Sequence, residues 1–542
     1  MIYQGTLVDI HSRALFVGEL IIEGDRISRI TQIRAGDGGS PYLMPGFVDA
    51  HVHVESSMLP PREFSRLAAV HGTVATVSDP HEIANVLGTD GVAWMLADAA
   101  EATIPILFGA PSCVPATSFE TAGAVLDAEA VASLLADERI GYLSEVMNYP
   151  AVLAGDPEVM AKIAAAQAVA KPIDGHAPGL RGSAAARYAS ACIQTDHECT
   201  SLEEALDKIA AGMHILIREG SAAKNYAALH PLLERYPERV MFCTDDLHPD
   251  ELATGHINRI VARAVREGYN LFDVLRAASL NPALHYRLPI GLLRPGDRAD
   301  FLVVDSLESF QVIETYVAGQ CVAREGVPRH QWSPCSTPNR WNATTVTTED
   351  FRLAARNERI HVIGARDGQL VTDHLVLDAP RRDGFYVPDP TQDLAMIAVV
   401  NRYKPAPPAI GFICGFGLRR GALASSVAHD SHNIVAVGAS VEELVTAINA
   451  LVACGGGLAV AEGSACQVLP LPVAGLMSDR DGHEVAEQYR ALDARAKELG
   501  SMLRAPLMTL SFMALLVIPA LKLSDRGLFD VERFELIPLE AQ

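Results

Sequence analysis

The chain has no Cys-x-x-Cys spacing among its nine cysteines, and an odd number of cysteines cannot all pair with one another. A disulfide framework and a thiolate-rich structural zinc site are thereby disfavoured, and a reducing compartment, the cytoplasm, is expected. Basic residues are scarce: 44 Lys and Arg stand against 66 Asp and Glu, a formal net charge of −22. Without a basic surface in bulk, binding to a nucleic-acid backbone is disfavoured, and no nucleic-acid partner is expected. The start, MIYQGTLVDI, has no basic segment ahead of a long apolar one, so no signal peptide is read there. The most apolar stretch, Leu507 to Leu521, contains Pro519, runs into Lys522 and falls short of the roughly 20 residues a membrane helix needs. It reads as buried core, and no membrane partner is expected.

What the chain does have is length and apolar content. Its 542 residues are 49% hydrophobic and 20% charged, an ordinary balance for a globular protein with a large core, and enough for two or three domains. Residues 1–43 run in short β-like stretches and end in the glycine cluster Gly36, Gly38 and Gly39. The pattern returns at residues 299–320, so residues 1–43 plus 291–330 are expected to build one small composite β-sandwich domain around a long insert. A polar, proline-containing linker, Cys335 to Asn342, opens residues 335–542. There, short strands, the run Gly455-Gly-Gly and a helix near Glu484 to Glu498 predict a separate α+β domain.

The insert, residues 44–290, alternates short apolar runs with helical segments such as Ala128 to Asp137 and Leu202 to Ala211. That rhythm indicates a parallel sheet with crossover helices. Eight strand candidates can be counted, nearly all ending in polar or ionisable residues. Phe47 to Asp49 leads to His51 and His53, Thr73 to Val77 to Asp79, Ile104 to Phe108 to Ser112, and Tyr142-Leu143 to Glu145. Pro172-Ile173 leads to Asp174 and His176, Ile193 to Asp196 and His197, Ile215 to Ile217 to Arg218 and Glu219, and Val240 to Phe242 to Asp245 and Asp246. Chemistry at the C-terminal ends of eight βα units is what a (β/α)8 TIM-type barrel requires, because its βα loops converge on that face. An open doubly wound sheet is the alternative, but it would concentrate contacts at one switch point. The expected fold class is α/β: a (β/α)8 barrel with the small composite β-sandwich and the C-terminal α+β domain.

The sharpest local motif is Pro45-Gly-Phe-Val-Asp-Ala-His51-Val-His53. Residues i and i+2 of a strand share a face, so two imidazoles are aimed together near the end of the first strand. Alone, a His-x-His is a weak signal, since such pairs arise by chance. Glu145, His176, His197 and Asp245 at later strand ends complete a set of four histidines and two carboxylates, suited to divalent Mn, Fe or Zn. A carboxylate between two such sets can bridge two ions, and a water shared by both loses a proton near neutral pH. Taken singly, each later residue could equally be a satisfied histidine or a surface acid. Taken together, they would need several independent coincidences. One rival zinc chemistry fails outright. Cytidine-type deaminases carry His-x-Glu followed by Pro-Cys-x-x-Cys. His53-Val-Glu55 fits the first half, but the only Pro-Cys is Pro334-Cys335, and Pro338 stands where the second cysteine should be.

Longer motifs extend along the chain. They include Pro45 to Met58, Asp79-Pro-His-Glu-Ile-Ala-Asn-Val86, Ser112-Cys-Val-Pro115, Glu145-Val-Met-Asn-Tyr-Pro150 and Asp174-Gly-His-Ala-Pro-Gly179. His197-Glu198, Ile217-Arg-Glu-Gly-Ser-Ala-Ala223, Cys243-Thr-Asp-Asp246, Ala428-His-Asp-Ser-His-Asn433, Met508-Thr-Leu-Ser-Phe512 and Ser524-Asp-Arg-Gly527 continue the series. Together these resemble the amidohydrolase superfamily and, within it, the bacterial adenine deaminases, over nearly the whole chain. The resemblance implies a purine-salvage hydrolase that converts adenine to hypoxanthine and ammonia with a metal-bound hydroxide. Two divalent metal ions are implied, Mn2+ foremost, with Fe2+ or Zn2+ as alternatives. His51, His53, His176, His197 and Asp245 would be ligands, Glu145 the bridging carboxylate, and Glu145 and Asp245 the catalytic proton carriers. Asp79 is a further candidate ligand, or an acid capping the loop beside Pro80. His81, Glu82, Arg218, Glu219 and Asp246 stand at strand ends from which they could read the adenine edge, although loop residues there are often solvated or paired with each other. A homo-oligomer, a dimer, is implied. The acidic charge suits a free base or nucleoside better than a polymer as substrate.

Two features depart from the pattern of relatives. The N-terminus is shorter than in some members, and Glu145 stands where cyclic-amide hydrolases would use a carboxylated lysine, which favours deamination. Another amidohydrolase activity, cyclic-amide hydrolysis or deacetylation, remains the first alternative, because fold alone does not set substrate. A catalytically dead scaffold is the second, and it is disfavoured by the presence of all six ligand candidates. The motif Ala428 to Asn433 reads equally as a further metal site, a reach over the barrel mouth, or a polar turn at a domain interface.

Overall fold

The computed structural model describes residues 1–541. Its central unit contains eight parallel strands in chain order: β1 (Phe47–Val52), β2 (Thr73–Ser78), β3 (Ile106–Ala110), β4 (Ile140–Val146), β5 (Ile173–Gly175), β6 (Thr195–Asp196), β7 (His214–Arg218) and β8 (Val240–Cys243). Helices between them cover the outside, including Ala128–Ala136, capped by the Asp127 side chain on Ala130 N–H, and Leu202–Ala210, capped by Ser201 on Glu204 N–H. With helices on one side and other strands on the other, residues of both faces are buried, which is why β1, β2 and β8 are buried throughout.

The expected barrel is not found as one continuous ladder. Strands β1 to β5 form one sheet and β6 to β8 a second. Strand β6 spans only two residues, so its seam with β5 rests on Gln194 N–H to Ile173 O, 2.9 Å, rather than on a run of paired residues. The other seam is a single bridge between Val52 and Asp245, made by Asp245 N–H to His51 O (2.9 Å) and His53 N–H to Asp245 O (3.1 Å). The chain is thus α/β with the strand order and direction expected, in sheets of five and three.

The flanking β segments pair with each other. Tyr42–Pro45 lies antiparallel to Phe301–Val304, with Phe301 opposite Pro45, in the middle of an eight-stranded sheet built from residues 2–45 and 301–328. Only Gly46 separates this sheet from β1. A Cβ there would sit 2.2 Å from a Val74 methyl, so the turn into the parallel unit needs glycine.

The C-terminal part contains a second eight-stranded sheet, mostly antiparallel, with the helices Val441–Cys454 and Gly482–Glu498. Its central strand Ala395–Val400 alternates between two cores. Ile397 and Val399 join the apolar cluster that also holds Phe47, Phe108 and Phe242, while Met396, Ala398 and Val400 face the helix residues Leu444, Ile448 and Leu451. The sheet therefore packs against the parallel unit through one continuous apolar cluster. The apolar stretch starting at Leu507 is buried: its first turn is the helix Pro506–Ser511, and Leu515 and Ile518 follow in the same cluster. No helix among the described residues is long and apolar enough to cross a membrane.

Candidate metal centre

The C-terminal ends of the parallel strands bring the six candidate ligands together. The Nε2 atoms of His51 and His53 lie 3.3 and 3.0 Å from the same oxygen, Asp245 Oδ1. Glu145 stands between this group and the remaining histidines. Its Oε1 is 3.3 Å from His53 Nε2, and its Oε2 is 2.7 Å from His176 Nδ1 and 3.1 Å from His197 Nε2. The rings of His51 and His197 stack with centroids 4.1 Å apart.

Local backbone irregularities aim these side chains. The register of β1 on β2 slips between Asp49 and Val52, the segment carrying His51, and that of β4 on β5 slips between Leu143 and Val146, the segment carrying Glu145. A bulge breaks the two-residue alternation and re-aims a side chain, and it recurs beside active sites for that reason. Asp245 has φ of 57°, a left-handed conformation uncommon for a non-glycine residue and held here by the bridge to His51 and His53. Asp196 ties the two histidine loops together, accepting Ala177 N–H (2.9 Å) beside His176 and Glu198 N–H (2.8 Å) beside His197, and its charge is met by buried Lys208 at 3.1 Å.

The electrostatics favour a cationic occupant. Glu145, Glu198, Asp245, Asp246 and Glu82 are all buried, and Arg218 is the one guanidinium among them. Burial pushes the Glu145 carboxyl up, but the charges of His176 and His197 outweigh it and hold the group well below the usual range. Asp245 is likewise pushed up by burial and brought well below its ordinary value by Arg218, with His51 and His53 adding to it. Burial disfavours charge on His176, yet Glu198 and Glu145 raise it to about 9. Buried acids that stay ionised need compensating cations. In the protein alone protonated imidazoles serve. The ring nitrogens of fully buried His51 have no hydrogen-bond partner among the described residues, Asp245 lying near but out of line. Orphaned imidazole nitrogens facing carboxylates fit metal ions held by nitrogen and oxygen.

The other candidates divide. Asp79 accepts from His81 Nδ1 at 3.0 Å, and its backbone oxygen receives His53 Nδ1 at 3.1 Å, so it lies directly behind the ligands. His81, Glu82 and Asp246 line the same cavity as Glu145 and His176. Ser56 Oγ donates to Asp246 Oδ1 at 2.5 Å. Arg218 also lines the cavity but is committed to protein: Nη1 contacts both Glu198 and Asp245, Nη2 reaches Glu198 at 3.3 Å, and Nε donates to Ala223 O at 2.9 Å. Its guanidinium thus joins Asp245 to Glu198 at the edge of the cavity. Glu219, just beyond the strand, pairs with Arg263 at 3.3 Å and is not among the residues lining this cavity. Sequence reasoning assigned no role to Glu198, although it stood in the quoted motif, and missed the C-terminal wall of Leu370, Phe512, Leu515 and Ile518. Nothing local in the sequence marks those apolar residues as cavity-facing. His429 and Asp430 join this wall, so the motif Ala428 to Asn433 reaches over the site.

Comparison with known proteins accords with this arrangement. Residues 42–322 match the amidohydrolase family, and residues 369–535 match the adenine deaminase C-terminal domain. An adenine deaminase of Salinibacter ruber is 55% identical over 536 residues, covering 98% of each chain. One from a Sulfurovum species is 51% identical over 98% of each, and one from Methanosarcina acetivorans 49% identical over 100% of this chain and 99% of its own. By end-to-end similarity at this level the chain belongs to the adenine deaminase family of amidohydrolases.

Proposed function

We propose that the chain deaminates adenine, taking adenine and water to hypoxanthine and ammonia at the imidazole–carboxylate cluster. The observation that carries this is the position of Glu145, each of whose oxygens faces a different set of histidines, in a chain matched from end to end by adenine deaminases. His51, His53 and Asp245 would hold one divalent ion, His176 and His197 a second, with Glu145 shared and Asp79 orienting His81 or adding a ligand. Mn2+ is proposed first, with Fe2+ and Zn2+ as alternatives. When bound, such a pair supplies Lewis acidity and brings the pKa of a coordinated water towards neutrality.

The chain's own groups do the rest. In the net reaction water oxygen bonds to C6, the C6–N6 bond breaks, and the protons of water end on N1 and on the departing ammonia. Asp245 and Glu145, kept ionised by Arg218 and the imidazoles, accept and return those protons. Glu82, Asp246 and Glu198 offer acceptors to the N–H groups of the base, and Leu370, Phe512 and Leu515 shield the site from bulk water. With this reading we also propose that the two parallel sheets are a (β/α)8 barrel opened at its shortest strand, that residues 1–43 plus 291–330, 44–290 and 335–542 are its three domains, and that the protein is a cytoplasmic homodimer. Loading the protein with Mn, Fe or Zn and comparing ammonia release from adenine with hydrolysis of dihydroorotate and of N-acetyl sugars tests the activity, and light scattering tests the dimer. Turnover of adenine is expected. Hydrolysis of a cyclic amide or an acetyl group with no release of ammonia from adenine would overturn the reading.

A further inference from the structure

Glu82 is held on both sides by the C-terminal part of the chain. Its Oε1 is 2.6 Å from His429 Nδ1, and its Oε2 contacts His432 Nε2. All three side chains are buried. Two imidazoles and a carboxylate could hold a third cation, but the tautomers argue otherwise. Ala428 N–H donates to His432 Nδ1 at 3.2 Å, which leaves the His432 proton on Nε2, where it faces Glu82 and blocks ligation. Glu82 Oε1 therefore accepts from His429 Nδ1, while its Oε2 lies against His432 Nε2 as a close polar contact rather than an aligned hydrogen bond. Burial, strongest at His432, holds that imidazole below its ordinary pKa and neutral. His429 differs: burial disfavours its charge, but Glu82 beside it raises it to about 9, so both ring nitrogens carry protons at neutral pH.

With Nδ1 engaged by Glu82, the opposite ring nitrogen Nε2 makes no hydrogen bond among the described residues, and the His429 side chain lines the cavity with Glu145 and Asp246. Phe512 stacks on the imidazole, with centroids 4.4 Å apart and planes 12° off parallel, which fixes its tilt. The cavity is rich in acceptors; apart from His429, the nitrogen groups lining it are the candidate ligand histidines, His81, whose Nδ1 is engaged by Asp79, and Arg218. Its carboxylates can only accept when ionised, and Arg218 is spent on Glu198 and Asp245. A purine base presents ring nitrogens that need donors.

We propose that His429, seated by Glu82 and by Phe512, is a substrate-binding residue that donates a hydrogen bond from Nε2 to a ring nitrogen of the purine. The inference rests on the adenine deaminase reading above. The C-terminal part thereby completes the binding site, and does more than cover it.

The test uses the Mn-loaded full chain, measuring KM and kcat for adenine and Ki for 1-, 3- and 7-deazaadenine, each of which replaces one ring nitrogen by C–H. The unaltered enzyme should bind one of the three at least about tenfold more weakly than adenine, the range expected for a hydrogen bond to a charged donor. His429→Ala should raise KM for adenine by about 10- to 100-fold more than it lowers kcat and should erase that discrimination, with metal content unchanged. His429→Gln, which keeps an N–H donor, should restore part of it. His432→Ala removes the other arm of the Glu82 clamp without touching the cavity and should leave the discrimination intact. Equal discrimination in His429→Ala and the unaltered enzyme, no discrimination in the unaltered enzyme, or its loss in His432→Ala to the same degree would each overturn the role given to His429. If the unaltered enzyme does not deaminate adenine, the parent reading fails instead.

Discussion

Replacing Glu145 by Gln keeps the volume of a side chain that is 2% exposed, so packing is preserved and the change is one of charge. That charge lies 3.3 Å from His53 Nε2, 2.7 Å from His176 Nδ1 and 3.1 Å from His197 Nε2, where two ions would share it. At an effective dielectric constant of about 20, a unit charge about 4 Å from another is worth about 4 kcal/mol. With about 1.4 kcal/mol per tenfold, metal affinity should fall by about three orders of magnitude, and more for a dication or for two of them. The assay is metal counted per chain by mass spectrometry after dialysis against a buffered competing chelator, together with adenine turnover followed in the ultraviolet. Glu145→Gln should lose most of its metal and at least about 99.9% of its activity, while its far-ultraviolet circular dichroism stays that of the unaltered protein. A variant that keeps its metal through the same dialysis and turns over adenine at the normal rate would refute the idea that Glu145 joins two cation sites.

Arg218→Met leaves Glu198 and Asp245 buried without their shared guanidinium, and should cost about 3–5 kcal/mol in chemical denaturation; a loss below about 1 kcal/mol would show that the fork contributes little. In the metal-free protein, His176 is raised to about 9 from an unfolded value near 6.5, so its contribution to stability is fully present below about pH 6.5 and lost as pH rises through about 9. Metal must displace such protons, so metal affinity should rise over the same interval with measurable proton release, and a titration in weakly buffered indicator solution that releases none would contradict the protonated cluster. Gly220→Ala would place a Cβ 2.0 Å from Thr244 O and 2.6 Å from Asp246 O, backbone atoms that cannot yield without moving Asp245. Activity should drop by about 100-fold although the substitution touches no ligand, and a fully active variant would show that the 244–246 segment tolerates displacement.

Much of the site was legible locally. His51 and His53 stand two apart at the end of an apolar run, and Glu145, His176, His197 and Asp245 each end a later one, so residue type and spacing marked them before any contact was known. Helices at 128–136 and 202–210 followed from apolar periodicity and short polar breaks, and the pairing of Tyr42–Pro45 with Phe301–Val304 from two β-patterned segments flanking one insert. Such features depend on sterics and burial within a few residues, which a sequence states directly.

The remainder depends on which distant segments meet. Past the end of β7 Glu219 pairs with Arg263 while Arg218 lines the cavity, and neighbours from other strands bring Glu198 and Asp245 to that guanidinium. The slips in register at His51 and Glu145 are set by partner strands, and the two-residue length of β6, which divides the parallel strands into two sheets, by the packing around it. Glu82 and His429 are 347 positions apart, and nothing in either local motif says that an imidazole from the C-terminal sheet will cap a carboxylate at the end of β2. Short-range preference chooses the residue and its element. Only the long-range closure of the chain chooses its partner, because that choice is made by the shapes and charges of surfaces that do not exist until the elements have packed.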